Sequence, residues 1–318
     1  MPRFKALTFM LFLATLCATA FGQNANPASP GTLNYIEGQA SIDGRPVYPR
    51  SANDTTLDAG QTLATGKGKT EILLTPGIFV RLGEESTAQM VSTDLTHTEI
   101  RLESGRANVE VDQIYPQNTI LIDLQNGQTQ ILKNGLYAFD ANSSTVRVLG
   151  GKAVVNLGAN IKPVELKGDR QLALNGEPLK PQRFNKDEAT ADPLYKWSSL
   201  RSQYLGVANL NLAEEYAGSP GFYPGWYWAG GPFGYTWLPG DGLFWNPFGY
   251  GFYSPYYLYG GGFIYGGYGR GFYGYRGGRP VGVYHGGQPV GGFHGGAVSG
   301  GFHGGGGFHG GGGGGGHR

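Results

Sequence analysis

Cysteine is almost absent from this chain, its one example being Cys17 near the N-terminus. If the leader around it is removed, disulfides, thiol catalysis and thiolate metal sites are excluded together. Charge is scarce too, at 15% of residues with a net of +1, which argues against a nucleic-acid partner because phosphate neutralisation needs many cations. The three arginines Arg270, Arg276 and Arg279 among tyrosines are too few to change that. Beyond the leader no apolar run approaches the ~20 residues of a membrane-spanning helix. Phosphate-loop, H-E-x-x-H and G-x-S-x-G patterns are missing, and of 6 histidines only His97 lies in the body of the chain. His97 neighbours Asp94 and Glu99 in a turn-like stretch, as a polar loop residue commonly does. No enzyme and no cofactor are expected.

What is present begins with residues 1–22. Arg3 and Lys5 precede the short apolar run Ala6–Ala18, and small residues follow at Ala18-Thr19-Ala20 and Ala20-Phe21-Gly22. That is the grammar of a cleaved signal peptide, so export to the periplasm or the cell surface is expected. Leu16, where a lipoprotein signal wants a small residue, argues against lipidation of Cys17.

The centre of the chain is Leu57–Val111. Ile72/Leu74, Val80/Leu82, Ile100/Leu102 and Val109/Val111 are apolar pairs two residues apart, punctuated by Gly60, Gly66, Gly68, Gly77, Gly83 and Gly105. Alternation with glycine turns predicts short half-buried strands. The same grammar starts at Leu33–Ile42, with Asp43-Gly44 as a hairpin turn, and continues to Leu174, giving an all-β body over residues 31–184. Spacing alone allows a rolled β-sandwich or a solenoid-like coil.

The order G-x-x-L-x-T-G (Gly60–Gly66), a strand pair ending in Arg81-Leu82, and I-x-L-x-x-G-x-A-x-V (Ile100–Val109) resembles the FecR domain, an envelope-side β module of bacterial signalling regulators. Lys133–Phe139 and Val146–Val155 continue the likeness, which covers about half the chain. The resemblance implies a coiled, β-helix-like stack of short strands. Regulators of that family join the module to a cytoplasmic helical segment through one membrane span. Here a signal-like leader precedes the module directly, so an accessory role in FecR-type (iron or siderophore) signalling fits better than direct control of a sigma factor.

Asp192-Pro193 reads as an N-cap and first helical residue, opening an amphipathic helix within residues 187–216. Its apolar stripe is Leu194, Trp197, Leu200, Tyr204 and Val207. Residues 217–259 then carry Trp226, Trp228, Trp237 and Trp245 among Tyr, Phe, Gly and Pro. Aromatic surface at this density must fold together or bind something, and such rings stack well on sugars and at envelope interfaces. The four tryptophans are therefore the candidate binding residues, with an envelope component or a protein as partner. Residues 260–318 are glycine-rich and expected to be disordered, and their His285, His294, His303, His309 and His317 suit weak, unselective metal binding.

Overall fold

The computed structural model describes residues 28–176 and 179–260, with the backbone of a strand pair at Gly274–Arg276 and Arg279–Val281. The leader, the expected disorder beyond residue 260 and the metal-ligand candidates His285, His294, His303, His309 and His317 lie outside the described residues.

The body is all-β, and one long strand organises it. β1 (Leu33–Ile42) turns through Asp43-Gly44 into β2 (Arg45–Val47), and pairs along its length with β3 (Thr62–Leu73). The far edge of β3 then serves two sheets. Its first residues, Thr62–Ala64, pair with β5 (Thr87–Thr93), whereas Thr70–Leu73 pair with β4 (Ile78–Leu82). From β5 one wing continues through β6 (His97–Ser104), β8 (Thr119–Leu124), β9 (Gly127–Ile131), β12 (Lys152–Asn156) and β13 (Val164–Lys167). From β4 the other runs through β7 (Arg106–Val111), β10 (Gly135–Asp140), β11 (Thr145–Gly150), β14 (Arg170–Ala173) and β15 (Gln182–Arg183). Every pairing in this sheet is antiparallel except β6 with β8.

The chain alternates between the wings, usually two strands at a time, and so coils around a shared core. Leu63, Ile72, Val80, Met90, Ile100, Val109, Ile122, Phe139 and Val148 meet in it. Gly105 sits at one crossing, with φ +74°, and a Cβ there would stand 2.2 Å from Ser86 Oγ.

Alternation predicts one dry face per strand, but β4 and most of β7 are buried on both. Their outer face carries Phe79, Arg81, Asn108 and Glu110, next to Glu71 and Leu73 of β3. It is covered by a helix, Pro193–Glu215, and by two hairpins: β16 (Gly225–Trp228) with β17 (Tyr235–Leu238), and β18 (Leu243–Trp245) with β19 (Gly251–Tyr253). The aromatic segment is thus a folded layer of the same body. Leu73, Phe79, Leu205, Tyr235, Trp237 and Phe252 form its core.

The helix begins as its sequence predicts, with Asp192 Oδ1 accepting from Leu194 N (2.7 Å) and Tyr195 N (3.3 Å) ahead of Pro193. The face it buries differs from the expected stripe. Leu194 and Trp197 are inside, but so are Ser198, Arg201, Ser202 and Asn209, while Leu200, Tyr204 and Val207 are about half exposed. The reason lies beneath it: the sheet presents charged and amide groups there, and polar helix residues are needed to satisfy them. Asn209 shows the principle, bridging the hairpins through Nδ2 to Trp237 O (2.8 Å) and Tyr253 O (3.2 Å) and accepting from Tyr253 N (2.7 Å).

Trp237 is fully buried between these layers. Trp237→Ala is expected to destabilise the fold by about 3–5 kcal/mol, measurable as a lowered urea midpoint with an unchanged far-UV spectrum before the transition.

Candidate binding cleft

A buried charge seam fixes the hairpins onto the sheet. Arg81 donates through Nε to Glu71 Oε2 (2.7 Å) and through Nη1 to Glu110 Oε2. Arg201 of the long helix donates to Glu71 Oε1 (2.8 Å) and to Phe233 O in the first hairpin loop (2.9 Å). Glu110 also accepts from Ser202 Oγ and, at 2.7 Å, from Asn246 Nδ2 at the second hairpin. Two arginines face two glutamates, and amides and a hydroxyl add hydrogen bonds to both carboxylates, while Arg81 Nη2 and Arg201 Nε have no partner among the described residues. Burial works to raise the Glu71 carboxyl, yet the adjacent Arg201 and Arg81 charges outweigh it and hold it at about 2.

Asp112, just beyond β7, behaves oppositely. Burial first, then the charge of Glu110, pushes it well above the usual carboxylate range. Neither of its side-chain oxygens has a hydrogen-bond partner among the described residues.

Asn34 of β1 links the seam to the cleft. Its Nδ2 donates to Glu71 Oε1 and Tyr235 O, both at 2.9 Å, and its Oδ1 accepts from Tyr235 N at 2.6 Å. This clamps β17 against β1, with Gly234 so close that a Cβ would lie 2.5 Å from Asn34 Oδ1. The clamped hairpin stands opposite a 3-10 turn, Pro49–Asp54. Between them opens a cleft of about 740 Å³ lined by Tyr35, Trp228 and Tyr235 and by Arg50, Asn53 and Asp54. That volume lies within the range of small-ligand sites.

The walls of the cleft are preorganised. Arg201 packs 4.1 Å from the Tyr35 ring centroid, and Trp228 meets Tyr235 edge-on at 5.1 Å. Burial, and then the Asp54 carboxylate across the cleft, raises the Tyr235 phenol. Asn53 Oδ1 is buried with no hydrogen-bond partner, and neither Arg50 nor Asp54 forms an ion pair among the described residues. The site therefore offers aromatic surface together with a carboxylate and a guanidinium that form no ion pair among the described residues.

Of the four candidate tryptophans, Trp228 alone lines this cleft. Trp237 is sealed against Phe244 and Phe252, and Trp226 packs edge-on to Phe79 at 5.1 Å. Trp245 is 47% exposed but lines a separate cavity of about 400 Å³ with Phe184 and Lys186. Packing within the fold takes up the Trp237 ring and part of Trp226, and leaves Trp228 and Trp245 at different cavities. There Lys186 is engaged by Asp169 at 2.7 Å, and in the neighbouring cavity Arg106 pairs with Asp192 and Arg147 with Gln171. His97 pairs with Glu99 at 3.3 Å, and no metal-holding group of three is present among the described residues. Tyr35, Asn53 and Asp54 escaped sequence analysis because their proximity to Trp228 depends on a contact spanning 201 residues.

No family model matches the chain, and no curated protein does. Two crystal structures from Parabacteroides distasonis, described as a "putative anti-sigma factor", are similar at TM-scores of 0.35 and 0.34 and identities of 14% and 15%. The matches cover 41% and 40% of this chain, and 62% and 61% of those chains.

Arg81→Met, which leaves buried Glu110 without a cation and Glu71 with Arg201 alone, is expected to cost about 3–5 kcal/mol in urea unfolding. Glu71 and Asp112 give opposite pH dependences. The depressed Glu71 contributes stability above its unfolded value of about 4.3 and loses it as pH falls towards about 2. The raised Asp112 contributes stability at low pH and loses it as pH rises through its folded value. Asp112→Asn should therefore raise stability at neutral pH and remove the decline above about pH 4, while leaving the acid limb intact.

Proposed function

We propose that this chain is an exported, non-enzymatic protein that binds a saccharide component of the bacterial cell envelope in the cleft between the 3-10 turn and the first aromatic hairpin. One observation carries the proposal: Trp228 and Tyr35 offer ring surface in a cleft that also holds Arg50 and Asp54, neither of which forms an ion pair among the described residues. A sugar ring supplies the complement, an apolar C–H face for stacking and hydroxyl donors around its edge. Asp54 accepts from further hydroxyls, and Arg50 donates to ring, carbonyl or carboxylate oxygens. The signal-like leader of residues 1–22 supports export.

The FecR-type motifs between Leu57 and Val111 favour a second reading, in which the protein is an accessory part of envelope signalling and its body contacts a protein. The two readings separate on whether the cleft is needed for retention.

The test is co-sedimentation of the full chain with purified peptidoglycan and with outer-membrane fractions from the native host. Trp228→Ala, Asp54→Asn and Arg50→Ala should each lower retention, with the tryptophan costing about thirtyfold or more, while Trp245→Ala should not. The two rim substitutions should leave the melting temperature unchanged. Retention unaffected by all three cleft variants would overturn the saccharide reading and favour the protein-contact one.

A further inference from the structure

Besides the apolar residues it buries, such as Leu194, Trp197 and Leu205, the long helix keeps an apolar stripe at solvent. Lys196, Leu200, Tyr204, Val207, Asn211 and Glu214 recur at spacings of three and four, and at 100° per residue they form one stripe. All six are exposed. Leu200, Tyr204 and Val207 expose 47%, 48% and 49% of their surface, and Phe233 extends the patch by meeting Tyr204 edge-on at 6.4 Å. The opposite face packs on the charge seam and on the apolar core around Leu205, which leaves these three side chains only half covered among the described residues.

The charges at the two ends of the stripe differ in sign. Lys196 lies in the first turn and Glu214 and Glu215 in the last, and none of the three makes an ion pair among the described residues. Carboxylates in a last turn, with no basic residue there, stand against the negative end of the helix dipole. A partner that brings positive charge to that end relieves the conflict.

We propose that this face pairs with the same face of a second copy, antiparallel, about a two-fold axis near Gln203 and Tyr204. Leu200 then packs against Val207 of the partner subunit, and the two Tyr204 rings meet close to the axis. Lys196 reaches towards Glu214 and Glu215 of the partner subunit, whose helix C-terminus also gains the positive end of this helix. A parallel arrangement would set lysine against lysine and glutamate against glutamate. Both contacts are made twice, as a two-fold interface requires. With only three half-exposed apolar side chains and Phe233 at its centre, against the ~800 Å² per partner of a standard interface, a weak, concentration-dependent dimer is expected, with dissociation in the micromolar range.

Sedimentation equilibrium of the full exported chain, from low micromolar to near-millimolar concentration, tests this. Wild type should shift from monomer to dimer. Tyr204→Ala should weaken the dimer about thirtyfold without altering the melting temperature, because the ring is half exposed. Lys196→Glu should weaken it several-fold, and adding Glu214→Lys and Glu215→Lys to the same chain should restore it. A chain that stays monomeric throughout overturns the proposal, including the case in which the stripe captures a different protein. A dimer indifferent to Tyr204→Ala, or one not restored by the charge exchange, overturns it equally.

Discussion

The contact between Arg81 and its two glutamates is the interaction on which the rest of this structure depends. Arg81 and Glu110 project from the outer face of adjacent strands, and Glu71 from the strand on the other side of Arg81. A sheet face bearing such groups cannot be covered by an ordinary apolar helix, since a buried charge must keep a partner and its hydrogen bonds. The covering layer is built to suit. It places Arg201, Ser202 and Asn246 over the seam and confines its apolar packing to the patches around Phe79 and Leu73.

From that constraint the other features follow in sequence. Amides on different elements act as connectors between layers: Asn34 from the sheet to the first hairpin, Asn209 from the helix to both, and Asn246 from the second hairpin to Glu110. Each reads backbone groups and therefore fixes a register as well as a contact. The cleft is a product of this docking, because Asn34 sets the distance between β17 and the turn Pro49–Asp54. A helix whose polar residues are drawn inward is left with Leu200, Tyr204 and Val207 on its outside.

Much of the body could be read from residues alone. Pairs such as Ile72/Leu74 and Val109/Val111 mark strands whose one face is dry, and Asp192-Pro193 marks a helix start through purely local hydrogen bonds. The outer face of β4 and β7 could not be read that way. Arg81 and Glu110 look like solvent-facing residues of a half-buried strand, and only the arrival of a segment more than ninety residues later buries them. The helix stripe misled for the same reason: counting apolar residues presumes an apolar surface beneath. The aromatic segment was legible as something that had to fold or bind. Its composition could not say that Trp237 would do the first and Trp228 remain at the edge of a cleft.

The charged outer face also bears on how the chain emerges during synthesis. The β body is completed before the helix and hairpins that cover it exist, and an incomplete domain that shows bare hydrocarbon invites aggregation. Here the waiting surface carries Glu71, Arg81, Asn108 and Glu110, which water solvates well. Phe79 and Leu73 share that surface, and the charged groups between them limit the hydrocarbon left bare before the C-terminal layer arrives. The ion pairs that cost desolvation in the finished fold are thus groups that keep water on it beforehand.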